Sequence, residues 1–253
     1  MIRNSMFRLT AALVPLMAAA SVATAQTPLP PAATLVAKYS AAMGGPAYMG
    51  AKAIMTKGSM SMPAAGINAT FEMTQLAPNQ MAMTTDIAGM GKIEAGFDGT
   101  TAWSMDPMQG ARVLTGKELD QLKDEADRRG ALRSPEMFLK IETVADTTMN
   151  SEACYLVKLN WKSGRESFDC YSKTTGLLVA SKSVQTTAMG DMPVVSYFNE
   201  YKKFGDVMVA TKTTQEAMGQ QQVLTINSVV LGDGAGVKIA PPAAVQALAK
   251  PAK

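Results

Sequence analysis

The sequence predicts a mainly β chain with a few helices, an α+β protein built on an antiparallel meander of about eleven strands. Three observations carry this. Apolar and polar residues alternate with period two through most of the chain, as a sheet with one dry and one wet face requires. The breaks between those runs are turn residues at hairpin spacing. Helical periodicity is confined to the start, to one segment midway and to the tail.

Taken in order, "PPAATLVAKYSAAMGG" opens with a helix in which Leu35, Val36, Tyr39 and Met43 share a face, ended by Gly44-Gly45. Met60 and Met62 then alternate with Ser59 and Ser61. In "INATFEM", Ile67, Ala69, Phe71 and Met73 point one way; Met81, Met83, Thr85 and Ile87 do so in "MAMTTDI", and Ile93, Ala95 and Phe97 in "KIEAGF". "PAAG", "APNQ" and "AGMG" separate these runs.

"GFDGTTAWSMD" places Asp98 and Asp106 around Trp103, and two nearby carboxylates raise the question of acid–base chemistry. That chemistry needs two carboxyls facing one another with their pKa values pushed apart. Asp98-Gly99 instead reads as a two-residue type I′ turn and Asp106-Pro107 as a strand end, so both aspartates are expected to be structural.

"LTGKELDQLKDEADRRG" predicts a helix with a Thr115/Glu118 capping box and a Leu114/Leu119 staple. Arg128 and Arg129 are expected at its negative end, with Gly130 as the cap. Its apolar stripe, Leu119, Leu122 and Ala126, is narrow, which suits a helix lying across something. A second short helix is expected from Ser134-Pro135. Strands resume at "CYLVKLNW", "RESFDCY", "LLVASKSVQ", "VVSYFNEYKKF", "VMVATKTTQEA" and "QQVLTINSVVL", and "IAPPAAVQALAK" predicts a docked segment and short helix.

The ends organise the chain as an export signal over residues 1–25, one domain over 26–240 and a tail over 241–253. Arg3 and Arg8, a short apolar run and the small-x-small site Ala23-Thr24-Ala25 make the signal. The expected location is the periplasm, with cleavage after Ala25. Cleavage takes two of the 24 basic residues and none of the 21 acidic ones, leaving a balance of +1. That near-neutrality gives no basis for binding nucleic acid. Cys154 and Cys170, in an oxidising compartment, are expected to form one cross-strand disulfide, helped by a small bulge.

No His occurs, which removes the commonest general base and metal ligand together. No Ser or Thr stands with a suitable base, and no Gly-rich phosphate loop is present. The chain is expected not to be an enzyme and to need no cofactor and no metal. Of its 20 methionines, 17 follow the signal. Thioethers are soft Cu(I) ligands, so a Cu(I)-binding protein is one reading. Methionine also lines surfaces that accept partners of variable shape. The face carrying Met60, Met62, Ile67, Phe71, Met73, Met81, Met83, Ile87, Ile93 and Phe97 then either encloses a ligand under a Leu119/Leu122 lid or packs a closed core.

Several stretches in order carry a resemblance: "AAMGGPAYMGAKAI", "KGSMSMPAAGINATFEMTQLAPNQMAM", "GFDGTTAWSMDPMQGARVLTGKEL", "FDCYSKTTGLL", "YFNEYKKFGDVMVATKTT" and "APPAAV". Together they resemble a divergent branch of the outer-membrane lipoprotein-sorting proteins of the LolA/LolB-like class, over roughly Leu35 to Val245. The resemblance implies an unclosed antiparallel barrel round a hydrophobic cavity, with an N-terminal helix and inserted lid helices. It implies a monomeric, non-enzymatic carrier or sensor of lipid or acylated lipoprotein, with peripheral membrane contact at most. The alternative function is an envelope module that binds a protein partner. No functional arginine of the carriers can be matched to a position in this sequence.

Overall fold

In the computed structural model, which describes residues 28–249, thirteen strands form one antiparallel sheet. The expected signal, residues 1–25, lies outside the described residues, as does the extreme tail. Helix α1 (Ala32–Ala42) and the short α2 (Gly45–Gly50) come first. The first meander follows: β1 (Ala53–Met62), β2 (Ile67–Leu76), β3 (Gln80–Ile87), β4 (Gly91–Phe97), β5 (Ala102–Asp106) and β6 (Gly110–Val113). Helices α3 (Gly116–Ala126) and α4 (Arg128–Ala131) lead to the second: β7 (Phe138–Met149), β8 (Glu152–Trp161), β9 (Glu166–Ser172), β10 (Leu178–Thr187), β11 (Gly190–Phe204), β12 (Val207–Ala217) and β13 (Gln220–Gly232). Helix α5 (Ala243–Ala249) closes the described chain against β6.

The two meanders join where β13 pairs with β1, so β6 and β7 are the free edges of one unclosed sheet. The segment between those edges must cross from one side of the opening to the other. Helix α3 accordingly touches β4 and β5 on one side and β10 on the other.

Two strands exceed the expected eleven. β6 is only four residues long, and β7 occupies the region where a second helix was expected. Only a turn of 3-10 helix, Pro135–Met137, forms there. β7 carries Lys140, Glu142, Asp146 and three threonines and is bulged twice, the marks of a blunted edge strand. Such composition hides the alternation on which strand prediction depends.

The turns behave as punctuation with altered detail. Phe97 pairs with Ala102, so four residues, not two, connect β4 to β5. Gly99 takes the positive φ, at 100°, while Asp98 Oδ1 accepts from the amides of Thr100 and Thr101. Asp106 Oδ1 does the same for Met108 and Gln109. Both carboxylates are occupied with backbone at separate turns. Trp103 is buried, lying over Gly96, where any side chain would collide with the indole.

At α3 the capping box does not form, because Glu118 turns to Arg112, 2.7 Å away, and Thr115 caps without a side-chain bond. The staple does form: Leu114 and Leu119 pack in one cluster with Leu122, Ala126, Met81 and Phe97. The helix ends at Ala126, not Gly130. Asp127 leaves helical geometry and accepts from the amide of Arg129, starting α4.

The disulfide links Cys154 and Cys170, with Cα atoms 5.5 Å apart. The register is Cys154 opposite Ser172 and Leu156 opposite Cys170, without a shift. The bond is therefore a diagonal one across a twisted pair, and no bulge is needed.

Candidate ligand-binding cavity

Residues directly opposite in an antiparallel pair share a face. Met62 faces Ile67, Met60 and Ile87 both face Ala69, Met73 faces Met83, Met81 faces Phe97, and Ile93 faces Thr85. Phe71 faces Gly58, where an added Cβ would lie 2.5 Å from the ring, so the glycine makes room for the phenyl. All ten residues of the expected apolar face thus lie on one side of β1–β4. Following the ladders onward, Met60 leads through Leu224, Thr213 and Phe198 to the strand that holds Ser196, and from there through Ser181 and Asp169 to Val157. The same side carries Leu159, Trp161 and Tyr171, on which α1 packs. It is the inner face of the half-barrel.

The ten residues do not share one environment. Met81 and Phe97 are buried beneath Leu122, with Met73 and Leu119 at the margin of the same cluster. Phe71 and Ile87 are buried within the sheet, while Met60, Met62, Ile67 and Met83 are half-buried and Ile93 is exposed. The expected lid residues Leu119 and Leu122 therefore sit on Met81 and Phe97 as a packed contact.

Beside that contact lies a cavity of about 410 Å³. One wall is apolar, with Met73, Met81 and Met83. The opposite wall, which the sequence reading missed, is polar: Ser167, Ser181 and Ser183 from the sheet, with Arg133 and Arg165 beside them. Asp124 and Glu125 of α3, Tyr48 of α2, Gln75, Trp161 and the Gly130-Ala131 turn of α4 complete the lining. The signal for this second wall was the run of small hydroxyl residues at alternate positions of "LLVASKS", read only as a strand.

The polar wall is ordered by buried contacts. Asp169, fully buried, accepts from Arg133 Nε at 2.6 Å and from the Tyr171 hydroxyl at 3.3 Å. Arg133 also donates to the Gly130 carbonyl, 2.8 Å away. Burial lowers the Arg133 guanidinium, but Asp169 together with Tyr39 and Tyr171 outweighs it and holds the cation above its ordinary value. Asp124 Oδ2 accepts from Ser163 at 2.6 Å and from Arg165 Nε at 3.0 Å. The Arg165 guanidinium stacks on Trp161 with its central carbon 4.3 Å from the ring centre, and the indole N–H donates to Ser167 at 2.9 Å. Among the described residues no group of three or more Cys, Asp or Glu stands together as a metal site would require.

Three tyrosines around this wall give a pH signature. Burial pushes Tyr39 up to about 12, against the pull of Arg133. Burial likewise raises Tyr171 and Tyr201, with Asp169 adding to both. In the unfolded chain a tyrosine ionises near ~10. Above that pH the folded state binds more protons than the unfolded one, so stability falls with pH. The contribution is fully present below pH ~10 and disappears as pH rises through about 12 for Tyr39, for which it amounts to about 3 kcal/mol. Urea denaturation midpoints are expected to be level to about pH 9 and to drop steeply by pH 11, with Tyr39→Phe reducing the drop.

No family model matches the sequence, and no curated protein sequence matches it. Solved structures do. A LolA superfamily protein from Nitrosomonas europaea aligns with a TM-score of 0.55 at 11% identity, over 81% of this chain and 95% of its own. The fold is LolA-like. A DUF1329 family protein from Desulfovibrio piger aligns at a TM-score of 0.54 and 10% identity, covering 83% and 95% of the two chains. A domain assigned to the outer membrane lipoprotein-sorting proteins, from Vibrio parahaemolyticus, gives 0.52 and 10% over 82% and 95%. Identities this low speak for the architecture, so the LolA-like half-barrel accounts for the topology while the lining side chains have to be read from this chain itself.

Proposed function

We propose that this protein is a non-enzymatic carrier or sensor of the bacterial periplasm that holds a hydrophobic or amphiphilic ligand against the methionine wall of its half-barrel. The observation that carries the reading is the cavity of about 410 Å³ between Met73, Met81 and Met83 and the α3 roof. Methionine suits a wall that must accept flexible chains, because its unbranched side chain readjusts at little cost. The driving force is apolar area removed from water, roughly 25 cal/mol per Å² before the costs of association. The half-buried Met60, Met62 and Ile67 extend the apolar face away from the roof and give a longer chain somewhere to run. LolA-like proteins that sort lipoproteins make acyl chains the natural cargo class, and the disulfide accords with an oxidising compartment.

The test is occlusion. Met83 is half-buried, lines the cavity and is not part of the packed cluster under α3. Met83→Trp should fill the space and lower the affinity for a fluorescent fatty acid by about tenfold or more, leaving the melting temperature within a few degrees. Uptake equal to that of the unaltered protein would refute this location.

A further inference from the structure

Four charged side chains line the cavity, Asp124, Glu125, Arg133 and Arg165, and their pairings differ. Arg133 is matched by Asp169, which stands behind it at 2.6 Å. Arg165 is matched by Asp124 through Nε alone. No hydrogen bond among the described residues engages its terminal nitrogens. Among the described residues the Glu125 carboxylate accepts only from the neutral amide of Gln121, at 3.0 Å, and the residue is solvent-exposed. Two cations and three carboxylates, with Asp169 included, leave a net charge of −1, and that charge resides on Glu125.

This distribution decides between headgroups. A purely anionic amphiphile would bring its charge towards a wall with an excess carboxylate, and like charges repel. A purely cationic one would leave the free edge of Arg165 without an acceptor. A headgroup with both signs satisfies the two uncommitted groups together. Three serine hydroxyls, Ser167, Ser181 and Ser183, stand on the same wall to bond the remaining oxygens. Glu125 and Arg165 line the same cavity, and the loss of water contact that raises the Glu125 carboxyl is opposed by its bond from Gln121 and by the Arg165 charge.

We infer that the cavity selects a single-chain amphiphile with a zwitterionic phosphate–primary ammonium headgroup, the ammonium on Glu125, the phosphate on Arg165 and the chain on Met73, Met81 and Met83. The inference rests on the carrier reading above and adds the class of ligand. A guanidinium edge takes phosphate oxygens through two parallel bonds, and a primary ammonium supplies N–H donors that a quaternary one lacks. A volume of about 410 Å³ lies at the small end for ligand pockets, which favours one chain over two.

The experiment compares three lysophospholipids of equal chain length, with phosphoethanolamine, phosphocholine and phosphoglycerol headgroups, by competition against a fluorescent fatty acid on the whole exported chain. The phosphoethanolamine lipid is expected to bind about tenfold tighter than the phosphoglycerol lipid, with phosphocholine between them. Glu125→Gln is near-isosteric at an exposed position and should fold normally, which circular dichroism checks. It should erase the preference by weakening the phosphoethanolamine lipid and relieving the repulsion of the phosphoglycerol lipid. Equal affinities for all three lipids, or a preference that survives Glu125→Gln, would overturn the headgroup assignment and leave the carrier reading standing. Failure of every lysolipid and of the fatty acid to bind would overturn both.

Discussion

Asp169→Ala is expected to destabilise the protein by about 3–5 kcal/mol, because it strands a buried guanidinium without its counter-charge. Asp169 is fully buried and the Arg133 side chain is 16% exposed. The only other bond Arg133 makes among the described residues is to the Gly130 carbonyl. The Tyr171 hydroxyl loses its acceptor in the same step. Removing both charges should cost much less than removing one: Asp169→Ala combined with Arg133→Met is expected to recover a large part of the loss. Urea denaturation of the two single variants and the double variant measures this, and the coupling energy follows from the cycle. Because Arg133 and the strand bearing Asp169 form the polar wall, the single variant should also bind a fatty acid probe more weakly at temperatures where it is still folded.

The architecture was legible in the sequence to the extent that alternation was clean. β1–β4 each carry an apolar file against a polar one and appear with the face assigned to them, and β5 and β8–β13 appear as strands where strands were expected. The expected pairing of Cys154 with Cys170 is the observed one, because the short loop between their strands leaves that hairpin little freedom of register. Legibility failed where tertiary contacts outbid a local rule. Glu118 had a local partner in Thr115 and took a longer-range one in Arg112. The Asp98 turn lengthened because two amides were there for its carboxylate to accept. β7, an edge strand with one neighbour, had no need of a regular apolar file. The cavity itself was half legible. Its methionine wall follows from period two, whereas the polar wall depends on which strands of the second meander come to lie across from the first. That placement is set by the β1–β13 pairing and by the helices, and no local sequence pattern records it.

Those helices are fixed at one end and held more lightly at the other. Near the start of α3, Lys117 reaches Asp191 at 2.9 Å between exposed side chains, and Gln121 accepts from the Thr186 amide. An exposed pair of this kind contributes little, about 0–1 kcal/mol. Just beyond the other end stands Arg128, 1% exposed, which donates to the carbonyls of Ala51, Lys52 and Gln75 where β1 begins and β2 ends. No carboxylate pairs with it among the described residues, and burial lowers its guanidinium from the ordinary value. Arg128→Ala should therefore lose charge-assisted hydrogen bonds and leave a void, at a cost of about 3–5 kcal/mol. Arg128→Met separates the two contributions. It restores most of the volume without the donors, so a loss nearly as large as that of the alanine variant assigns the effect to the carbonyl clamp. Since the clamp seats α4 beside the cavity, its loss should raise hydrogen exchange in α2 and α4 more than in the distant β7–β8 hairpin. Exchange that rises equally everywhere would mean that Arg128 supports the whole fold and does not act as the anchor of the roof.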